Sequence, residues 1–353
     1  MNYNFKFFKK KKYLPADKFF RNVLYDKKFG YYCTKQPFGI KGDFITAPKI
    51  SNLFSEMIAI WIISFWEDLE CPKQFNLIEL GAGNGEMMKI LINTFNRFPK
   101  FKNACKINIL EKSELLKKIQ KRKIKDKNIK WLRNLNELKN LPSIFIANEF
   151  LDALPIKQFI KKKNKWYERY VDISNFKKFK FLDIPFSIRK LEKNIKFKIS
   201  YKQKFIEYSP LAKRYLKNMT DKIKLNNGGI LIIDYGYTDK EIKNTLQAVS
   251  KHKPSNVLVD FGKSDITYNI SFNLIEKIIN KFDSVCSLIT TQGKFLTRLG
   301  ILQRAEFLSK NIPFSRKADI YFRVKRLIDN NQMGSLFKIM FITNKKNKFK
   351  LGF

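Results

Sequence analysis

The sequence predicts an α/β protein with a parallel sheet and helices on both of its faces. Three observations predict it. From Phe75 onward, short apolar runs alternate with stretches of helical spacing, the order that makes parallel strands joined by helical crossovers. The first run, Phe75-Asn76-Leu77-Ile78-Glu79-Leu80, leads straight into Gly81-Ala82-Gly83-Asn84-Gly85, and Met87 to Ile92 then opens a helical pattern. Strand, glycine turn, helix is the context in which such a turn holds a nucleotide-like ligand. Finally, three strands end in acids or amides, at Glu79, Glu111 and Asn148-Glu149, and open α/β sheets bind ligands outside the carboxyl ends of their strands.

In chain order, residues 1–12 read as a basic arm. Leu14 to Lys28 has helical spacing, with Phe19, Phe20, Val23 and Leu24 on one side. Gly30-Tyr31-Tyr32, Pro37-Phe38-Gly39 and Gly42-Asp43-Phe44-Ile45-Thr46-Ala47-Pro48 follow. The stretch is too dense in turn formers for regular structure. Its last part is either a ligand-contacting loop or a structural crossover; in the first case it closes over the pocket, with Asp43 and Thr46 pointing in. Ser51 to Leu69 reads as a helix, Ser51 its N-cap and Glu56 in its first turns. Strand one, 75–80, is followed by a helix over 86–97. Lys106–Leu110 is strand two, with a helix from Ser113 to about Lys123; Ile129–Leu132 is a third strand and Ser143–Ala147 a fourth. Residues 156–205 break the alternation and read as an inserted hairpin subdomain. Ser209-Pro210 opens the next helix, and Gly229 to Tyr237 is the clearest strand. Residues 238–268 read mostly as loop, Phe272–Phe282 as helix, Ser284–Thr290 as strand, Lys294–Ser309 as helix and Leu336–Thr343 as the last strand. The expected organisation is an N-terminal region over 1–70 and a main domain over 71–353, with insertions at about 156–205 and 238–283.

Composition narrows the function classes. The chain has 353 residues, 44% of them hydrophobic, and a net charge of +40. Such a charge suits nucleic acid or an anionic surface. It is also what A+T-rich coding produces, and the lysines are spread along the chain, with runs at Lys9–Lys12, Lys121–Lys127, Lys161–Lys165 and Lys345–Lys350. Cys33, Cys71, Cys105 and Cys286 form no C-x-x-C pair, and His252 is the only histidine. Neither a zinc site nor a disulfide framework is expected, and a reducing compartment fits. The longest apolar run, Met57 to Trp66, is about half the ~20 residues a membrane span needs. The lysine-rich N-terminus has no apolar signal core. The expected location is cytoplasmic, or mitochondrial if the source is eukaryotic.

The glycines are spaced G-x-G-x-G. Glu86 stands where a dinucleotide fingerprint needs its third glycine, and a carboxylate at a helix N-terminus opposes a pyrophosphate. S-adenosylmethionine (SAM) has no phosphate; it carries an ammonium and a sulfonium, which Glu79 and Glu86 suit. Gly81, Gly83 and Gly85, with Glu79, are therefore expected to hold SAM. Glu111 lies 26 positions after Gly85, near the ~20 expected of an acid that binds ribose hydroxyls; the alternative is a solvated acid before a helix. After strand four, Asn148 is expected at the cofactor, and Glu149 and Asp152 are candidate catalytic residues. Three apart, they share a face if the segment turns helically. Paired carboxylates suit a guanidinium, which they can grip in a fork and relieve of charge. The other reading has Asn148 and Asp152 capping the turn while Glu149 faces solvent.

Together these segments resemble the MidA-like class I SAM-dependent methyltransferases, a family that includes the mitochondrial complex I assembly methyltransferase. The resemblance runs from about Phe29 to Phe341. The Gly42–Pro48 and Asn148–Pro155 segments carry it most specifically; Gly30-Tyr31-Tyr32, Glu79-Leu80-Gly81, Asp234-Tyr235-Gly236, Gln292–Leu296 and Met333–Lys338 are further landmarks. It implies a Rossmann-like seven-stranded sheet with an antiparallel last strand, SAM as cofactor, and a protein arginine as acceptor, on a partner such as a subunit of NADH:quinone oxidoreductase. The chain departs from the family's pattern at Ala82 (usually Pro), Asn84 (commonly basic), Lys49 (usually Glu) and Tyr268 (usually His). The competing readings are an RNA methyltransferase, which rests on charge alone, and a non-catalytic assembly factor on the same fold.

Overall fold

Seven strands make the row of the central sheet: β1 (Phe75–Leu80), β2 (Cys105–Leu110), β3 (Lys130–Leu132), β4 (Ser143–Asn148), β5 (Gly228–Tyr237), β6 (Val285–Thr291) and β7 (Phe337–Asn344); an eighth, the two-residue Ile270–Ser271, pairs parallel with the end of β5. Their order is β3-β2-β1-β4-β5-β7-β6. β1 to β5 run parallel, and β7 lies antiparallel between β5 and β6. The order reverses between β1 and β4, which pair although they are not consecutive. This is the switch point at which an open sheet leaves a crevice for a ligand. The structure is a computed structural model and describes residues 12–34, 47–175, 178–250, 253–259, 262 and 264–353. Asp43 and Thr46, most of the turn-rich stretch and the basic arm up to Lys11 lie outside the described residues.

Side chains follow the strand period of two. Leu77, Ile144, Ile146, Leu231, Ile233 and Phe341 enter one buried layer, while Ile78, Phe145, Ala147, Ile230, Ile232 and Ile342 enter the other. Helices Asn52–Asp68, Glu86–Phe95 and Gln292–Arg298 cover the first, and Pro210–Asn226 and Phe272–Ile279 the second. Ser51 caps Asn52–Asp68 as read, its side chain accepting from the Leu53 N–H at 3.2 Å. That helix is buried around most of its circumference, and Trp61 stacks on Phe65 and meets Phe341 edge-on.

Where the alternation breaks, Lys157–Lys162 and Lys165–Asp172 pair as a hairpin. Lys163 and Asn164 at its tip both have left-handed backbones, φ 44° and 63°, as a two-residue type I′ turn requires. Lys180–Pro185, Phe205–Tyr208 and, from the other end of the sequence, Tyr13–Pro15 complete this second sheet. Helix Ala16–Tyr25 packs beneath it through Phe19, Phe20, Val23 and Leu24.

Away from the switch point, the structure differs from the sequence reading most clearly toward the C-terminal half. Within 238–268, read mostly as loop, Gln247–Ser250, Lys253–Ser255 and Asp265–Thr267 pair into a small antiparallel sheet; strands of three or four residues are too short to show alternation. The helix expected over Lys294–Ser309 is two, Gln292–Arg298 and Ile301–Ser309, broken at Gly300, whose φ is 87°. Phe314–Ile328 is a further helix that the sequence reading did not name; only Val324 and Leu327 on it are fully buried. Among the described residues, no helix is long and apolar enough to cross a membrane.

Candidate active site at the switch point

The glycine turn crosses the carboxyl end of β1. Gly81, Gly83 and Gly85 are all left-handed, with φ of 67°, 51° and 80°. A side chain at Gly81 would also meet the Phe150 ring, 2.9 Å from where its Cβ would stand. Gly85 is the N-cap of Glu86–Phe95. Glu86 pairs with Lys123 on the neighbouring helix. Glu79 is buried at the end of β1, and its Oε2 has no hydrogen-bond partner in the chain. Burial, then the nearby Glu111, pushes its pKa up to about 8. A buried acceptor of this kind fits a ligand bearing N–H or O–H donors.

Glu111 is buried rather than solvated. Its Oε1 accepts from the N–H groups of Lys112 (2.8 Å) and Ser113 (2.9 Å), and its Oε2 from Gln120 Nε2 (3.1 Å). Burial raises its pKa and these donors oppose the rise. Three of about four lone-pair sites are thus engaged, which leaves one for a hydroxyl. The fully buried Gln120 also donates to the Gly83 carbonyl (2.9 Å) and accepts from Trp131 Nε1 (3.0 Å). It ties the glycine turn to the acid, a role that its place on a charged helix did not signal. Glu111→Ala is expected to weaken binding of S-adenosylhomocysteine (SAH) by about 1–3 kcal/mol, read by titration calorimetry; unchanged affinity would remove Glu111 from the cofactor site.

The acid segment leaves β4 by a bend rather than a helical turn. Glu149 is left-handed (φ 49°) and its N–H donates to the Ile233 carbonyl at 2.9 Å. A turn over Leu151–Leu154 then closes through Leu154 N–H to Leu151 O at 3.0 Å. Helical i, i+3 spacing is therefore not what relates Glu149 to Asp152; the bend and the turn are. The Glu149 carboxyl does not face solvent. Asn148 Oδ1, Glu149 Oε1 and Asp152 Oδ1 are all buried and without a hydrogen-bond partner in the chain. Such strained, non-glycine left-handed residues concentrate at functional sites.

Beneath this segment lies an acid that the sequence reading passed over. Asp234, fully buried at the end of β5, accepts through Oδ2 from the N–H groups of Leu151 (3.0 Å) and Asp152 (3.3 Å) and through Oδ1 from Tyr235 N–H (3.1 Å). The Tyr235 hydroxyl donates to Asp152 Oδ2. The rule that singled out β1, β2 and β4 would have found both residues, because β5 also ends in an acid beside β4. From the N-terminal region, Tyr25 donates to the Ala153 carbonyl (2.9 Å), Tyr32 to Asp265 Oδ1 (2.7 Å), and Ser113 Oγ to the Tyr32 carbonyl (2.7 Å). The half-buried Lys49, at one family departure, lies within electrostatic reach of Glu149 and Glu86; burial and the nearby Lys123 push its pKa down. Tyr268, at another, is buried near Asp234 and Asp152.

Burial, then Asp152, pushes Glu149 up to about 8. Burial raises Asp152 and Asp234 too, with Asp152 adding to the rise at Asp234. A raised acid binds more protons folded than unfolded. Its stability contribution is full below its ordinary value of about 4.5 and is lost as pH rises through about 8. The parent is therefore expected to lose stability relative to Glu149→Gln between about pH 4.5 and 8, as read by urea denaturation at several pH values. A pH-independent difference would refute the burial.

Residues 57–289, which hold both the glycine turn and the acid segment, match the model of an S-adenosyl-L-methionine-dependent methyltransferase family. The chain belongs to it. It is thus one of the MidA-like methyltransferases, and SAM is its methyl donor. Among curated relatives of this methyltransferase, the mitochondrial protein arginine methyltransferase NDUFAF7 of Homo sapiens is 29% identical, covering 92% of this chain and 78% of that protein. The Xenopus laevis protein of the same name is 28% identical, covering 92% and 80%. A superfamily member from Burkholderia thailandensis, crystallised with SAH, superposes with a TM-score of 0.80 at 23% identity, covering 97% of this chain and 90% of that one. That likeness shows the fold; the antiparallel last strand that the resemblance implied is β7. The curated relatives are named as mitochondrial; the cytoplasmic expectation finds no support in them.

Proposed function

We propose that this methyltransferase acts on the guanidinium of a protein arginine. The observation that carries the reading is the trio of buried, partnerless acceptors Asn148 Oδ1, Glu149 Oε1 and Asp152 Oδ1 beside the cofactor crevice. SAM supplies a methyl group on a sulfonium. Glu79, Gly81, Gly83, Gly85 and Glu111 would hold it, with Asn148 at the border between donor and acceptor, and the partnerless Glu79 Oε2 and the left-handed glycines fit such a ligand.

Glu149 and Asp152 would grip the guanidinium through charge-assisted hydrogen bonds and set one nitrogen toward the donor. Asp234 holds the segment in place through its backbone N–H groups. The environment that lifts Glu149 to about 8 makes it a base matched to neutral pH, able to take the proton the nitrogen gives up. Acids at the pocket would repel phosphates, which counts against RNA as substrate. The proposed target, following the resemblance and the relatives' mitochondrial names, is a subunit of NADH:quinone oxidoreductase in the mitochondrion.

The test is transfer of labelled methyl into cell extract, split by protease and by nuclease, with amino-acid analysis of the labelled fraction. Label on arginine is expected. Label that survives protease and vanishes with nuclease would replace this reading with the RNA one.

A further inference from the structure

The helical pair Ile301–Ser309 and Phe314–Ile328 carries bare aromatic surface among cations. Phe314 is 84% exposed, Phe322 68% and Phe307 63%. Phe314, Ala318, Tyr321 and Phe322 lie at i, i+4, i+7 and i+8, along one helix face. Every residue from Pro313 to Asp319 is exposed, so the tip of the pair stands clear of the body, while the buried Val324 and Leu327 anchor its base. Large exposed rings grouped in this way are uncommon on monomeric proteins and mark interaction surfaces. The pair and its connection hold Arg304, Lys310, Arg316, Lys317, Arg323, Lys325 and Arg326 against two acids, Glu306 and Asp319, and Arg323 already binds Asp319 at 2.8 Å.

We propose that this helical pair docks the protein on an anionic lipid bilayer. Rings strung along a basic helix are the pattern of an interfacial helix: the apolar face enters the boundary of headgroups and acyl chains, and the cations meet lipid phosphates. A protein partner would need a concavity matched to the protruding tip, whereas a bilayer accepts a convex wedge. Docking would also orient the active site. Arg323 Nη1 donates to the Ile50 carbonyl at 3.0 Å, and the turn Ala47–Ile50 reaches Glu149, which accepts from the Ala47 N–H. The mouth of the pocket would therefore lie close to the lipid surface.

The experiment uses the full chain and sedimentation with vesicles, either pure phosphatidylcholine or phosphatidylcholine mixed with phosphatidylglycerol. Binding to the mixed vesicles only is expected, because a basic surface with few rings needs anionic lipid. The double variant Phe314→Ser/Phe322→Ser, altered only at exposed positions, is expected to lose about tenfold or more of that affinity while keeping its affinity for SAH, which reports folding. Emission of a Phe314→Trp variant is expected to shift to the blue on the mixed vesicles. Undiminished binding by the double variant, or no blue shift, would reduce the contact to charge adsorption and overturn the proposal. So would an unchanged vesicle affinity together with loss of single-stranded RNA or acidic-protein binding in that variant.

Discussion

Glu149→Gln is expected to cut methyl transfer to arginine by roughly two to four orders of magnitude, while SAH affinity stays within about threefold, since the change lies on the acceptor side. The substitution keeps the size of the side chain and one acceptor oxygen. It removes the charge that faces the guanidinium and the group that takes its proton. Because the carboxyl is buried and its Oε1 has no hydrogen-bond partner in the chain, water cannot readily replace either contribution. Single-turnover transfer at saturating SAM, with calorimetry of SAH binding beside it, measures the two halves separately. Unchanged turnover would leave Glu149 a structural acid. A parallel loss of SAH affinity would move it to the donor side.

Gly83→Val is expected to lower SAM affinity by roughly a hundredfold or more, since a β-branched residue at a φ of 51° costs about 1–3 kcal/mol and also fills the approach to the ligand. Restoring an allowed backbone would swing the turn away from Gln120, which holds the Gly83 carbonyl. The turn is a short surface element ahead of a well-packed helix, so the fold is expected to survive, with far-ultraviolet circular dichroism and Tm as controls. A folded variant with parental affinity would place the cofactor elsewhere.

Much of this was legible in the sequence, for identifiable reasons. β4 and β5 carry long apolar runs, and β1 and β2 are mostly apolar, because both faces of the sheet are covered, and segments of that kind stand out in a polar chain. Their carboxyl ends were legible because ligand-facing acids break those runs abruptly, as at Glu79 and Asn148-Glu149. What sequence could not supply was company. Tyr25, Tyr32 and Asp265 meet around Ala153 and Ser113 only because the N-terminal helix and the loop after β5 fold over one crevice. Gln120 sits on a helix of lysines, where nothing local marks it as buried. Glu149 and Asp152 were paired by the wrong geometry, since a left-handed bend has no signature in a Glu. The break at Gly300 was visible as a glycine within a helical pattern.

The antiparallel insertion of β7 has a consequence for how the chain is made. β6 leaves the ribosome well before the strand that pairs with it, because among the described residues its ladder partner is β7. β7 also covers the outer edge of β5. During synthesis of the intervening helices, two strand edges therefore wait unpaired, and one late strand closes both. Nascent chains with open edges are exposed to mispairing and aggregation. A chain that stopped before Phe337 would lose more than a neighbour of the rim strand: it would leave β6 detached and the edge of β5 open over Gly229–Tyr235, although every residue of both had already been made.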